Sequence, residues 1–128
     1  MNFLLDTHSL IWFLDGDPQL GRIARKLIED PSNRRWISIA SLWELAIKIS
    51  KGHLVMRRTL AEVMYSEISR ADIEIVPIKT EHILRVASLP LHHGDPFDRL
   101  IVAQSLEEGW PVIGKDSVFS AYGVRLFW

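Results

Sequence analysis

Short apolar runs and amphipathic stretches alternate along the whole chain. Phe3-Leu4-Leu5, Trp36-Ile37-Ser38-Ile39, Ile73-Glu74-Ile75-Val76, Val112-Ile113 and Val124-Arg125-Leu126-Phe127 have strand-like length and composition, and each predicts a strand. Between them the apolar positions fall at helical spacing. Leu20, Ile23, Ala24, Leu27 and Ile28 share one face of a helix that Asp17-Pro18 would start and Asp30-Pro31 would stop. Leu60, Val63, Met64 and Ile68 make a second stripe, Ile83, Leu84 and Ala87 a third, and Ile101, Val102 and Leu106 a fourth that ends at Gly109. Strands separated by helices predict an α/β fold with a mostly parallel sheet covered on both faces. The last link strains this reading. Only Lys115 to Gly123 joins the final two strands, short of the roughly dozen residues that a parallel crossover needs.

A chain of 128 residues, 48% of them hydrophobic, is expected to bury its core as one domain, residues 1–128, without disulfides or a structural metal. The absence of cysteine removes disulfide frameworks, thiolate zinc sites and cysteine nucleophiles from consideration. Met1-Asn2-Phe3-Leu4-Leu5-Asp6 has no basic stretch and soon meets a carboxylate, so no signal peptide is expected there. No apolar run approaches the ~20 residues that span a bilayer. The expectation is a soluble cytoplasmic protein with no membrane partner. Fifteen Lys plus Arg against sixteen Asp plus Glu give a formal charge of −1, so a polyanionic partner would have to meet a local patch.

Four acids stand out by position, and each taken singly reads as a helix cap. Asp6 ends an apolar strand and precedes a helical start, where it or Thr7 would serve as N-cap. Ser41-Leu42-Trp43-Glu44 has the spacing of a capping box. Asp95-Pro96-Phe97-Asp98 places a cap residue, a proline at the first helical position and an acid at the third. Asp116 follows the Val112-Ile113 strand and would cap the Ser117 to Tyr122 segment. The four together carry more. Asp6, Glu44 and Asp116 fall at or just past strand ends, on the carboxyl edge of a parallel sheet, where open α/β sheets bind ligands. The helix bearing Asp98 runs antiparallel to the strand at Val112, which returns its amino terminus to the same edge. Four carboxylates on one rim raise one another's pKa, and a bound cation removes the conflict. With oxygen ligands only, that cation is magnesium or manganese rather than zinc. It would generate hydroxide from water and neutralise a phosphoryl oxygen, which points to phosphodiester hydrolysis.

At these residues the chain resembles the PIN-domain family and in particular its VapC-like toxin branch. Phe3-Leu4-Leu5-Asp6-Thr7-His8 is similar to the opening strand with the first acid. Ser41-Leu42-Trp43-Glu44-Leu45-Ala46-Ile47-Lys48 is similar to the helix with the second. Asp95-Pro96-Phe97-Asp98-Arg99-Leu100-Ile101-Val102-Ala103-Gln104 is similar to the third block, the most specific of the four, and Gly114-Lys115-Asp116-Ser117-Val118-Phe119 to the last. The resemblance spans nearly the whole chain. It implies a three-layer α/β/α fold around a five-stranded parallel sheet, and Mg2+- or Mn2+-dependent endoribonuclease activity. It further implies neutralisation by a cognate antitoxin and a homodimer. Asp6, Glu44, Asp98 and Asp116 carry over as metal-site and catalytic acids. Asp95 belongs to the motif as well, although its cap role already explains it. Gly114 departs from the pattern, because family members often carry Thr or Ser there.

Other residues have a chemical and a plain reading side by side. Thr7 would bond a metal-bound water or cap its helix. Lys48 and Lys51, with Arg57 and Arg58, would follow an RNA backbone or form a solvated face with a Glu44 to Lys48 pair. Arg99 and Lys115, each beside a proposed ligand, are further phosphate contacts. His92-His93-Gly94 reads as a polar loop, since adjacent histidines lack the spacing of a helical ligand pair. Trp12 and Trp43 would stack a base or meet a partner helix, but are expected to pack in the core. Two other functions compete. Aspartyl-phosphate phosphotransfer also uses acids at this sheet edge, but Asp6-Thr7-His8 lacks a second aspartate and Ile75-Val76-Pro77-Ile78-Lys79 offers no phosphoacceptor. A non-catalytic PIN-like binding module would have no need of all four acids.

Overall fold

Parallel pairing organises the molecule, for which a computed structural model describes residues 1–128. β1 (Asn2–Leu5), β2 (Arg34–Ser38), β3 (Ile73–Val76), β4 (Val112–Ile113) and β5 (Leu126–Phe127) form one sheet in the order β3-β2-β1-β4-β5, every neighbouring pair parallel. Leu5 lies opposite both Ile37 and Ile113, so the three central strands end together at one edge.

Side-chain alternation along the strands divides the core between the two faces. Phe3, Leu5, Ile37, Ile73 and Ile113 join Leu10 of α1 (Thr7–Asp15), Ala24 and Ile28 of α2 (Arg22–Glu29), and Leu42 and Leu45 of α3 (Ile39–Ser50). Leu4, Val76 and Val112 take the other face, against Ile101 and Val102 of α7 (Pro96–Glu108) and Phe119 of α8 (Val118–Ala121). α6 (Thr80–Ser88) packs alongside α7. This is the expected three-layer α/β/α arrangement. Each fully buried Leu, Ile or Phe adds roughly 1.5–3 kcal/mol relative to exposure. No helix is long and apolar enough to cross a membrane.

Several boundaries differ from those the sequence suggests. α2 starts at Arg22, after Gly21, because Asp17 spends its side chain on a turn in which Oδ1 accepts from Gln19 N at 2.9 Å. Gly21 is required there, since a Cβ would come within 2.6 Å of the Trp128 backbone. β2 passes into α3 with no loop. Ser38 is the N-cap, accepting from Ala40 N, and Ser41 lies inside the helix, so the Ser41–Glu44 capping box does not form. The stripe from Leu60 to Ile68 is not one α-helix but α4 (Leu60–Glu62), a π-helical turn (Val63–Glu67) and α5 (Ile68–Arg70). The last crossover is parallel after all. β4 is as predicted, but β5 is shorter than the apolar run that predicts it, which leaves residues 114–125 for the connection and room for α8.

Candidate active site

The carboxyl ends of β1 and β4, where the strand order reverses direction, meet the amino termini of α1 and α7 and the middle of α3. Asp6 is the N-cap of α1, with Oδ1 accepting from Ser9 N at 2.8 Å. Ser9 Oγ in turn donates to the Ile113 carbonyl at 3.0 Å, which ties the first turn of α1 to the end of β4. The other Asp6 oxygen lies against Gly114. A Cβ at position 114 would sit 2.6 Å from Asp6 Oδ2, so the glycine that departs from the family pattern clears the space this carboxylate fills.

Glu44 is the sixth residue of α3 and caps nothing. Its carboxylate is buried, accepts from Thr7 Oγ1 at 2.8 Å through Oε1, and pairs through Oε2 with Lys48 Nζ at 3.2 Å. Asp98 is the third residue of α7, whose N-cap Asp95 accepts from Phe97 N at 2.9 Å and from Asp98 N at 3.0 Å through Oδ1. Asp116 is exposed and accepts from Val118 N at 3.0 Å. Asp6, Glu44, Asp98 and Asp116 line one crevice of about 130 Å³ together with Thr7, Lys48 and Asp95. Larger hollows lie beside Pro18–Glu29 (about 770 Å³) and Ala46–Leu60 (about 470 Å³), but neither is lined by more than one carboxylate.

Five carboxylates against one lysine leave the crevice short of positive charge. Burial pushes the Asp6 carboxyl above its ordinary value, and Asp116 adds to the rise against the opposing hydrogen bonds from Ser9. Asp98 is pushed up to about 6, first by burial and then by the charges of Asp95 and Glu44, with His93 acting the other way. No three of the acidic or histidine side chains close on a common point at ligand distance.

The basic residues fall into two groups. Lys48 lines the crevice, and Lys51, Arg57 and Lys115 are exposed. Arg58 and Arg99 are already spent, which corrects the reading of both as phosphate contacts. Arg58 is only 13% exposed, lies 2.6 Å from Asp15 Oδ1, and makes an ion pair with Glu67 Oε2 at 2.7 Å that falls outside hydrogen-bond alignment. Arg99 donates to the Pro90 carbonyl at 2.9 Å and to the Tyr122 hydroxyl at 3.1 Å. The two tryptophans part company. Trp12 packs on the core, whereas Trp43 is 59% exposed and meets the Phe97 ring edge-on at 5.3 Å, contrary to the expected core packing. Sequence reasoning assigns His93 to a polar loop, yet its Nε2 lies 3.5 Å from Asp98 Oδ2. Ligand spacing along the chain could not reveal it, because its partners come from α7 and from Tyr122.

Residues 3–124 match one family model, that of the PIN domain. Among solved structures, a chain of the VapBC2 complex of Rickettsia felis bound to a promoter DNA fragment superposes with a TM-score of 0.72. It is 17% identical, with 99% of this chain and 98% of that chain covered. A chain of DNA-bound VapBC from Salmonella typhimurium gives a TM-score of 0.71 at 20% identity, covering 99% and 97%. A chain of a toxin–antitoxin complex from Klebsiella pneumoniae gives 0.62 at 20% identity, covering 98% and 95%. No curated protein matches the chain in sequence.

Proposed function

The chain belongs to the PIN-domain family, and on that footing we propose that it is a Mg2+- or Mn2+-dependent endoribonuclease, the VapC-like toxin of a toxin–antitoxin pair. The observation that carries this reading is the crevice itself, in which carboxylates from four separate segments gather at the carboxyl edge of the sheet with one lysine among them. The neighbouring folds from VapBC and toxin–antitoxin complexes support the toxin branch and an antitoxin partner. Exposed apolar side chains at Val55 and Tyr65 offer that partner surface. A homodimer acting on RNA in the cytoplasm completes the proposal.

The donor set fits the cation. Asp6, Glu44, Asp98 and Asp116 supply oxygen only, as a hard divalent ion prefers, and no cysteine competes for a softer one. When bound, such an ion stabilises negative charge on a phosphoryl oxygen and provides hydroxide near neutral pH. Ser9 N and the cleared space at Gly114 set the Asp6 carboxylate, and Thr7 holds Glu44. Lys48 Nζ, 3.2 Å from Glu44 Oε2, and the exposed Lys115 are the cations that would meet a phosphate oxygen. Lys51 and Arg57 would extend the track along the RNA backbone. Aspartyl-phosphate transfer has no comparable support, because β3 ends at Val76 and Pro77-Ile78-Lys79 follow without an acid.

Glu44→Gln tests the assignment. The amide keeps shape and loses charge, so Mg2+-dependent cleavage of single-stranded RNA is expected to fall by more than the roughly 10–100-fold that loss of an outer partner costs, with the circular dichroism spectrum unchanged. Cleavage at the wild-type rate would take Glu44 out of the site.

A further inference from the structure

Asp98 also faces a group that does not line the crevice. His93, in the loop before α7, has Nε2 at 3.5 Å from Asp98 Oδ2, and that nitrogen is buried without a hydrogen-bond partner. Its other ring nitrogen, Nδ1, lies 2.7 Å from the Tyr122 hydroxyl oxygen. The same oxygen accepts from Arg99 Nη1 at 3.1 Å and from the backbone N–H of His93 at 3.3 Å. A phenol hydroxyl has two lone pairs and one proton. Both lone pairs are taken, so the proton goes to His93 Nδ1, which is the acceptor. A neutral imidazole that accepts at Nδ1 carries its hydrogen on Nε2, the atom that faces Asp98.

The rest of the cluster holds this arrangement in place. Arg99 is anchored on the Pro90 carbonyl at 2.9 Å and lies over the Tyr122 ring at 5.9 Å, so the phenol is gripped from two directions. Tying down the loop needs only the Tyr122 bonds. It does not account for a buried Nε2 that stands 3.5 Å from a carboxylate oxygen, outside hydrogen-bond alignment, and has no other partner.

We propose that His93 is a positioning residue, which through Nε2–H sets the orientation of the Asp98 carboxylate while Tyr122 and Arg99 hold the imidazole in the tautomer that does so. One Asp98 oxygen is thereby directed to His93 and the other is left for the crevice. The inference rests on the metal reading above only for what Asp98 is positioned to bind.

Two substitutions separate this role from a structural one, because glutamine reproduces the reach of Nε2 and asparagine that of Nδ1. Mn2+ binding to the full chain, followed by electron paramagnetic resonance of the free ion at constant ionic strength, supplies the readout. His93→Asn, which keeps the Tyr122 contact and loses the donor to Asp98, is expected to weaken Mn2+ binding about 10–100-fold, and His93→Gln to restore it to within about threefold of wild type. The reverse order would make His93 a loop tether, and equal loss in both variants would make it a space-filler; either overturns the proposal. A wild-type protein that binds no Mn2+ sinks the metal reading instead, and the positioning role is then decided on the metal-free chain. There the imidazole 15N spectrum is expected to show the Nε2–H tautomer for His93, with mixing of tautomers in Tyr122→Phe. An Nδ1–H tautomer in the wild type overturns it.

Discussion

The two ends of α7 carry acids in opposite states. Asp98, in the first turn, is lifted to about 6 by burial and by the neighbouring Asp95 and Glu44. Glu108, the last residue of the helix, is held below its ordinary value by the hydrogen bond from Lys79 Nζ at 2.8 Å and by His82 Nε2 at 2.9 Å. The helix dipole alone would produce the reverse, favouring a carboxylate at the amino terminus and disfavouring one at the carboxyl terminus by about 0.3–1 kcal/mol. Neighbouring charge and burial outweigh it at both ends. Around Glu108 the balance is closed, since the buried His82 also accepts from Lys79 N through Nδ1 at 3.0 Å. Around Asp98 it is open. Arg58, set between Asp15 and Glu67, repeats the closed pattern elsewhere. Partly buried acids are thus common to both kinds of region, and the shortfall of positive charge, one lysine against five carboxylates, is what marks the crevice as a place for a ligand.

The widest separation between the two ends is expected in activity. Asp98→Asn should reduce Mg2+-dependent RNA cleavage by more than about a hundredfold, beyond the range for an outer-shell partner, while leaving or raising the metal-free melting temperature because one repelling carboxylate is gone. Glu108→Gln should do the opposite. It leaves cleavage unchanged and costs about 1–3 kcal/mol, since a charge-assisted bond is weakened and the buried His82 is served by a poorer partner. Cleavage assays and melting curves on the two variants read both effects. Loss of cleavage in Glu108→Gln would collapse the contrast.

A smaller but more general difference lies in how the ends respond to pH and metal. The folded-state pKa of Asp98 is raised from 3.8 to about 6, so its contribution to stability is fully present below about 4 and is lost as pH rises through about 6. Asp6 acts in the same direction. Glu108 is depressed, so its contribution is present above the ordinary glutamate value of 4.5 and is lost as pH falls through its lower folded value. The metal-free protein should therefore lose stability between about pH 4 and 6 relative to Asp98→Asn, which lacks that slope. At neutral pH, Mn2+ at a hundredfold excess over its Kd should restore about 2.7 kcal/mol to the wild type and much less to the variant. Thermal melts across this range, with and without Mn2+, would show it. A wild-type melting temperature indifferent to the ion would break the site reading.

The contrast between the ends was half visible in the sequence. Asp95-Pro96 and Gly109 mark both limits of α7, because cap chemistry is local and written in adjacent residues. The gathering of Asp6, Glu44, Asp98 and Asp116 followed from the common direction of the strands, which needs only the alternation of elements. What failed were inferences that hang on an element boundary with no local mark or on a side-chain partner distant in sequence. Glu44 has cap spacing from Ser41, yet Ser38 caps the helix because β2 enters α3 with no loop to mark the change. Arg58 and Arg99 have the composition of phosphate contacts, but Asp15, Glu67 and Tyr122, far along the chain, had already engaged them. His93 was dismissed on ligand spacing, a rule for side chains on one helix that says nothing about Tyr122 or Asp98. The π-helical turn left no trace in the apolar stripe, which serves either helix nearly as well.

The smallest expected effect concerns Asp95, which belongs to the amino end of α7 by position and to its structure by role. Its Oδ1 accepts from two backbone N–H groups of the first turn, the work of a cap, while its charge helps to raise Asp98. These two functions come apart under substitution. Asp95→Ala removes cap and charge together and should cost about 0.5–2 kcal/mol, reduced by the repulsion relieved at Asp98. Asp95→Asn keeps an oxygen for the cap and removes only the charge, so its melting temperature should stay near wild type while the pH slope assigned to Asp98 becomes shallower. The increment in melting temperature produced by Mn2+ should survive in both, because the cap is not among the proposed ligands. If Asp95→Asn instead loses that increment as fully as Asp98→Asn does, Asp95 is itself a ligand, and the line between fold and chemistry at this end of the helix runs three residues earlier, at the cap itself.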